Sequence, residues 1–229
     1  MKIIKSKTPA ETAGEKLSDM LLAHKDTPTL LLLSGGSALS LLDHVSPEML
    51  GPQLTITTLD ERFSTDPSAQ NFAQIQATAF YHTAQASGAS VIDTTTAEGD
   101  TLAAVGDRFE AALRAWKDQH PDGVVIATMG IGADGHTAGI LPGDYKAEFS
   151  GRSWVAAYEV SPSVNPHTKR ITVTQTFLRT AVSEALVYAV GSEKKPIIEK
   201  LSREPCPSES MPACVVCEMQ SVSLITDVA

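Results

Sequence analysis

The sequence predicts an α/β fold: a mainly parallel sheet covered by helices on both faces. Three observations lead there. Short apolar runs recur at residues 29–33, 54–59, 123–129 and 184–190. Segments whose apolar residues repeat at helical spacing lie between them. Each run stops at a glycine-rich or charged loop. Strands alternating with helices make βαβ units, whose strands are buried on both sides. A chain of 229 residues fits one large domain, here taken as 1–229.

In chain order, residues 9–24 place Ala13, Leu17, Met20, Leu21 and His24 on one side of a helix. Thr29-Leu30-Leu31-Leu32-Leu33 is a strand stopped by Ser34-Gly35-Gly36, with a short helix expected over 38–42. Residues 54–59 alternate and end at the turn Asp60-Glu61-Arg62. A short helix is predicted over 71–80 and a longer one over 101–119, where Leu102, Val105, Phe109, Ala112, Leu113 and Trp116 share a face. The run 123–129 is the third strand. Residues 170–174 read as a further strand with an edge position open to it, and 184–190 as another, ended by Gly191. A helix over 194–201 precedes a proline-rich loop, 202–212.

Composition narrows the function classes. The formal net charge is −9 and the pI about 5.1, with no basic patch of the kind a nucleic-acid binder carries. No segment has the roughly 18 apolar residues of a membrane span. The basic N-terminus lacks an apolar signal core, so a soluble, cytoplasmic protein is expected. The three cysteines, Cys206, Cys214 and Cys217, are an odd number, which argues against a disulfide framework. Cys214 and Cys217 have metal-ligand spacing but no second pair nearby, and read as small residues of a C-terminal strand.

The chemistry-bearing residues gather in loops that follow strands, where ligands of parallel sheets bind. The richest is residues 129–143, in which five of fifteen residues are glycine and Asp134 and His136 stand two apart. Glycine lets backbone approach a ligand, and histidine titrates near neutrality. Asp134 and His136 also have the spacing of two metal ligands, but a third is not evident. Ser34-Gly35-Gly36-Ser37 suits an anion, since helix N-termini present free N–H groups. It reads equally as a tight turn with Ser37 as N-cap. Asp60-Glu61-Arg62 is either a solvated turn or a source of Asp60 and Arg62 in the crevice. Arginine's planar fork binds phosphate or carboxylate. Arg170 and Lys194 are further cations at element ends, with Lys195 competing for the latter role. His167 precedes a strand and could lie near the site.

With these residues assembled, the chain resembles the 6-phosphogluconolactonase family, relatives of the glucosamine-6-phosphate deaminases. The resemblance spans nearly the full length. It rests on Ser34-Gly35-Gly36-Ser37, on Leu59-Asp60-Glu61-Arg62 with Asn71-Phe72, and above all on Gly132-Ala133-Asp134-Gly135-His136-Thr137-Ala138 with Leu141-Pro142-Gly143. Arg170-Ile171-Thr172-Val173-Thr174 and Gly191-Ser192-Glu193-Lys194 follow in the family's order. The resemblance implies a Rossmann-like fold and a carboxylic ester hydrolase. Its reaction would be hydrolysis of 6-phospho-D-glucono-1,5-lactone in the oxidative pentose phosphate pathway, with no metal and no organic cofactor. It casts His136 as general base with Asp134 beside it, and Arg62 as a substrate-binding or charge-stabilising residue. Ser34, Gly35, Gly36, Ser37, Asp60, Arg170 and Lys194 become phosphate and sugar contacts. The partner is a small sugar phosphate, with neither nucleic acid nor membrane, and the protein a monomer or small homo-oligomer. The deaminase relatives carry an acid in an Asn-Glu-Pro context where this chain has Leu141 before Pro142, and tend to an aromatic residue where it has Arg62. Gly139 replaces the lactonase family's usual serine, and Phe63-Ser64-Thr65 its apolar-Pro continuation. The alternatives are an isomerase or deaminase on the same fold, or a non-catalytic sugar-phosphate sensor.

Overall fold

The computed structural model describes residues 1–143, 149, 151–202, 206–208 and 211–228. A seven-stranded sheet is built from β1 (Lys2–Lys5), β2 (Thr29–Leu33), β3 (Leu54–Thr58), β5 (Ser90–Val91), β6 (Val124–Gly130), β9 (Glu184–Tyr188) and β10 (Val222–Thr226). Their order is β1-β10-β9-β6-β2-β3-β5, and every pairing is parallel. Strand β2 shows why the run is apolar throughout. Leu30 and Leu32 enter the core on one face, Leu31 and Leu33 the core on the other, and all are buried.

Helices α1 (Pro9–Ala23), α2 (Asn71–Gln76) and α3 (Ala79–Ala86) cover one face. The other carries α4 (Leu102–Gln119), α5 (Gln175–Thr180) and α6 (Lys195–Leu201). In α4 the Thr101 hydroxyl caps the helix by accepting from the Ala104 N–H at 3.2 Å, and Val105, Phe109, Leu113 and Trp116 are buried. The expected covering of a parallel sheet on both faces is therefore what forms.

A second sheet was not foreseen. Strands β4 (Asp60–Arg62), β8 (Lys169–Val173) and β7 (Val155–Glu159) pair antiparallel in the order β4-β8-β7 and pack on the α4 side. Residues 60–62 are thus a strand, with Asp60 and Glu61 buried and Arg62 partly so, rather than a solvated turn, and the strand near 170 is central in its sheet rather than at an edge. The helix expected over 71–80 is two helices, because the Thr78 hydroxyl accepts from the Tyr81 N–H and starts α3. The short helix expected at 38–42 is 3-10 helix over Gly36–His44, begun at Gly35, so Ser37 is not its N-cap. A 3-10 turn, Ser192–Lys194, precedes α6.

At the C-terminus Cys214 and Cys217 lie in a 3-10 helix, Pro212–Cys217, and the strand comes later, as β10. Cys206 is bonded to Cys214 across a Cα–Cα distance of 5.4 Å, against the expectation drawn from the odd count. Of the predicted loop 202–212, residues 203–205, 209 and 210 lie outside the described residues. No helix among the described residues is long and apolar enough to cross a membrane.

The strand order sets the site. From β2 the chain moves outward to β3 and β5, then returns to β6 on the other side of β2 and continues to β9. The direction reverses between β2 and β6, and a crevice opens beyond the carboxyl ends of strands flanking such a reversal.

Candidate active site

A cavity of about 190 Å³ lies at that reversal. It is smaller than the several hundred Å³ typical of drug-sized ligands, which suits a substrate of one ring. The turn after β2 supplies Ser34, Gly35, Gly36 and Ser37, and the loop after β6 supplies Gly132 and His136. Asp60, Arg62 and Arg170 come from the second sheet, and Tyr188 and Lys194 from β9 and the turn beyond it.

Local bonds hold the two loops. The Ser34 N–H donates to the Thr128 hydroxyl at 3.1 Å, tying the start of the first turn to the last part of the neighbouring strand β6. Gly36 and Ser37 beyond it are exposed. In the second loop the His136 carbonyl accepts from the Gly132 N–H at 2.8 Å, and the Thr137 hydroxyl donates to the Gly130 carbonyl at 2.8 Å. The Ala213 N–H, from the 3-10 helix near the C-terminus, donates to the Gly135 carbonyl at 3.0 Å and braces the loop from outside.

Asp134 and His136 form a pair. The imidazole Nδ1–H donates to Asp134 Oδ1 at 2.6 Å, and the same oxygen accepts the His136 backbone N–H at 3.1 Å. Gly132 must be glycine, since a Cβ there would overlap the carboxylate and the ring. The hydrogen bond from His136 is the main cause holding the Asp134 carboxyl down at about 2. With Nδ1 committed, Nε2 carries the lone pair. His136 lines the cavity, while Asp134 does not and is exposed.

Three cations and one carboxylate surround the same space in a chain that is acidic overall. Arg62 and Arg170 are directly opposite in the β4–β8 ladder, so their side chains share a face. Like charges so placed repel unless an anion intervenes. Asp60 answers part of this charge, accepting from Arg170 Nη2 at 2.6 Å with both side chains buried. Arg62 Nη1 donates to the Ala69 carbonyl at 3.1 Å. The Nε atoms of both arginines are buried without a hydrogen-bond partner among the described residues. Lys194 Nζ lies 3.8 Å from Glu193 Oε1, so part of this positive charge is answered locally and Arg62 is the cation here with no carboxylate partner among the described ion pairs.

Every residue proposed from the sequence lines this cavity except Asp134, which reaches it through His136. Lys194 lines it and Lys195 does not. His167 is exposed and does not line the cavity; partial desolvation, and then the charges of Arg62 and Arg170, lower its pKa. Among the described residues no three His, Cys, Asp or Glu side chains gather as metal ligands.

Sequence reasoning missed Asn71, Tyr188 and Glu61. Asn71 and Tyr188 line the cavity. Glu61 is fully buried and accepts three backbone N–H groups: Arg62 at 2.8 Å, Asn71 at 2.6 Å and Phe72 at 2.8 Å. Burial nonetheless pushes its carboxyl up to about 7. The adjacency of Asn71-Phe72 to the Asp-Glu-Arg segment was the available signal.

A family model described as glucosamine-6-phosphate isomerases/6-phosphogluconolactonase matches residues 6–225. Similar solved structures include 6-phosphogluconolactonases from Leishmania guyanensis, at 22% identity and TM-score 0.74 over 98% of this chain and 95% of that one, and from Trypanosoma cruzi, at 21% and 0.75 over 98% and 94%. A monomeric glucosamine-6-phosphate deaminase is similar at 20% identity and TM-score 0.69 over 99% and 97%. At these identities the likeness speaks to fold. No curated protein sequence matches. Nearly the whole chain matches the family model, and the chain belongs to the glucosamine-6-phosphate isomerase/6-phosphogluconolactonase family.

Proposed function

We propose that the protein hydrolyses 6-phospho-D-glucono-1,5-lactone to 6-phospho-D-gluconate. The observation that carries this reading is the placement of an oriented imidazole and three cations around one cavity. The phosphate sits against the turn Ser34-Gly35-Gly36-Ser37 and the cations Arg170 and Lys194. The lactone carbonyl, C1, faces His136.

His136 Nε2 takes a proton from water as the water oxygen bonds to C1. Asp134 keeps the ring in the required tautomer and stabilises its cation. Arg62 or an N–H of the glycine-rich loop stabilises the oxygen that gains charge. Collapse breaks the bond between C1 and the ring oxygen, which accepts the proton from His136. The phosphate contacts are remote from the reacting bond and lower the entropic cost of positioning. No covalent nucleophile is needed, because a lactone carbonyl is already electrophilic.

The shared family with deaminases favours one alternative, deamination or isomerisation of a phosphorylated amino sugar. Leu141 weighs against it. It is an apolar core residue, where the sequence pattern of the deaminases has an acid. The discriminating experiment follows acid release from freshly made 6-phosphogluconolactone, with the unphosphorylated lactone as control, and ammonia release from glucosamine 6-phosphate. Acid release well above the spontaneous rate and no ammonia is expected. Ammonia release would favour the deaminase. Thermal stabilisation by sugar phosphate without any turnover would favour a sensor.

A further inference from the structure

Asn71 has a part in this site that its sequence context does not declare. It opens α2 and lines the cavity, yet its residue surface is 1% exposed. Its Nδ2 donates to the Asp60 carbonyl at 2.9 Å, in strand β4. Its Oδ1 is buried without a hydrogen-bond partner among the described residues and fills the space where any side chain at position 35 would begin. One carboxamide therefore touches both the anion turn after β2 and the strand that carries Arg62. Glu61 fixes it from below. Oε1 accepts the N–H groups of Asn71 and Arg62 together, and Oε2 that of Phe72.

We infer that Asn71 and Glu61 are positioning residues, a buried clamp that locks the Ser34-Gly35-Gly36-Ser37 turn to strand β4 and so sets the distance between the turn's amides and the two arginines. The inference rests on the anion-binding part of the proposed function. The 3-10 helix over Gly36–His44 has no side-chain cap hydrogen bond at its start, and the Ser34 N–H bond to Thr128 ties the turn to β6 rather than to β4. Binding energy at a multi-point anion site depends on donors held to a fraction of an ångström. Glycine at position 35 is the other half of the device, because a methyl group there displaces the carboxamide.

The test is calorimetric titration of wild type, N71A, G35A and G35A/N71A with inorganic phosphate and with 6-phosphogluconate, alongside steady-state hydrolysis of the phosphorylated lactone. Each single variant should weaken phosphate binding about tenfold, because the turn's amides and the two arginines lose their fixed spacing. The double variant should bind about as each single does, since both changes break the same contact. In turnover N71A should raise KM about tenfold while kcat falls less than about threefold. Phosphate binding unchanged in N71A, effects of the two substitutions that add, or an equal fall in kcat and kcat/KM would overturn the clamp. If phosphate binding responds as expected but no lactone is hydrolysed, the clamp stands and the lactonase reading fails. If wild type binds neither ligand, both fail.

Discussion

His136 has one nitrogen committed and one available, and the sequence motif alone could not say which. The short bond to Asp134 assigns Nδ1 as donor. Because Asp134 stays ionised down to about pH 2, its own titration does not shape activity near neutrality. D134N should therefore lower kcat at least tenfold across pH 6–9. A simple displacement of the pH optimum at full maximal kcat would contradict the orienting role. Lys194 and Arg170 test the phosphate site, but not equally. K194A should mainly raise KM. R170A should also destabilise the fold by roughly 3–5 kcal/mol, because it leaves the Asp60 carboxylate buried and unpaired. An unchanged KM in K194A and R170A alike would remove the phosphate assignment. The Asp134 and His136 pair was legible in the sequence because a carboxylate and an imidazole two residues apart are within local reach of each other, although the same spacing also suited two metal ligands. Asn71 was not legible, because its contacts depend on how β4 pairs.

At the scale of elements, β2, β6 and β9 were legible as apolar runs, which double burial requires, and β3 as an alternating one, whereas the short strands β1 and β5 were not read and the C-terminal strand was placed too early. The second sheet escaped. Strand β4 is three residues long and entirely charged, and its burial follows from partners more than a hundred residues away, such as Arg170. The run Cys214-Val215-Val216-Cys217 was read as a strand but is 3-10 helix, since a short apolar run fits either structure. Glu61 gives β4 a measurable signature. Its carboxyl is raised from 4.5 to about 7, chiefly by burial and in part by neighbouring Asp60, with three backbone N–H groups opposing. The folded state thus holds this proton more tightly than the unfolded chain. The associated stability is complete below pH 4.5 and is lost as pH rises through 7. At about 1.4 kcal/mol for each pH unit, that span amounts to roughly 3 kcal/mol. Denaturant unfolding of wild type and E61Q at pH 4.5 and 7.5 should show the wild type losing about that much relative to the variant. A difference that does not vary with pH would mean that Glu61 titrates normally.

The whole molecule gathers residues from five segments of the chain at one end of the sheet, where strand order reverses between β2 and β6 and the second sheet adds its arginines. The sequence carried the convergence only as an inference from parallel strands. It could not carry the facing arginines, which arise from the second sheet. A local excess of positive charge in an acidic chain suits a small anion, as the proposed function requires. The division of labour between phosphate grip and imidazole is the central claim, and one comparison reaches it directly. Wild type and H136A are assayed on phosphorylated and unphosphorylated gluconolactone, with spontaneous hydrolysis subtracted and 6-phosphogluconate affinity measured in parallel. Wild type should favour the phosphorylated lactone strongly. H136A should lose about 10²–10⁴-fold in kcat while keeping its affinity for 6-phosphogluconate. Full turnover in H136A, or equal use of the two lactones by wild type, would contradict the account.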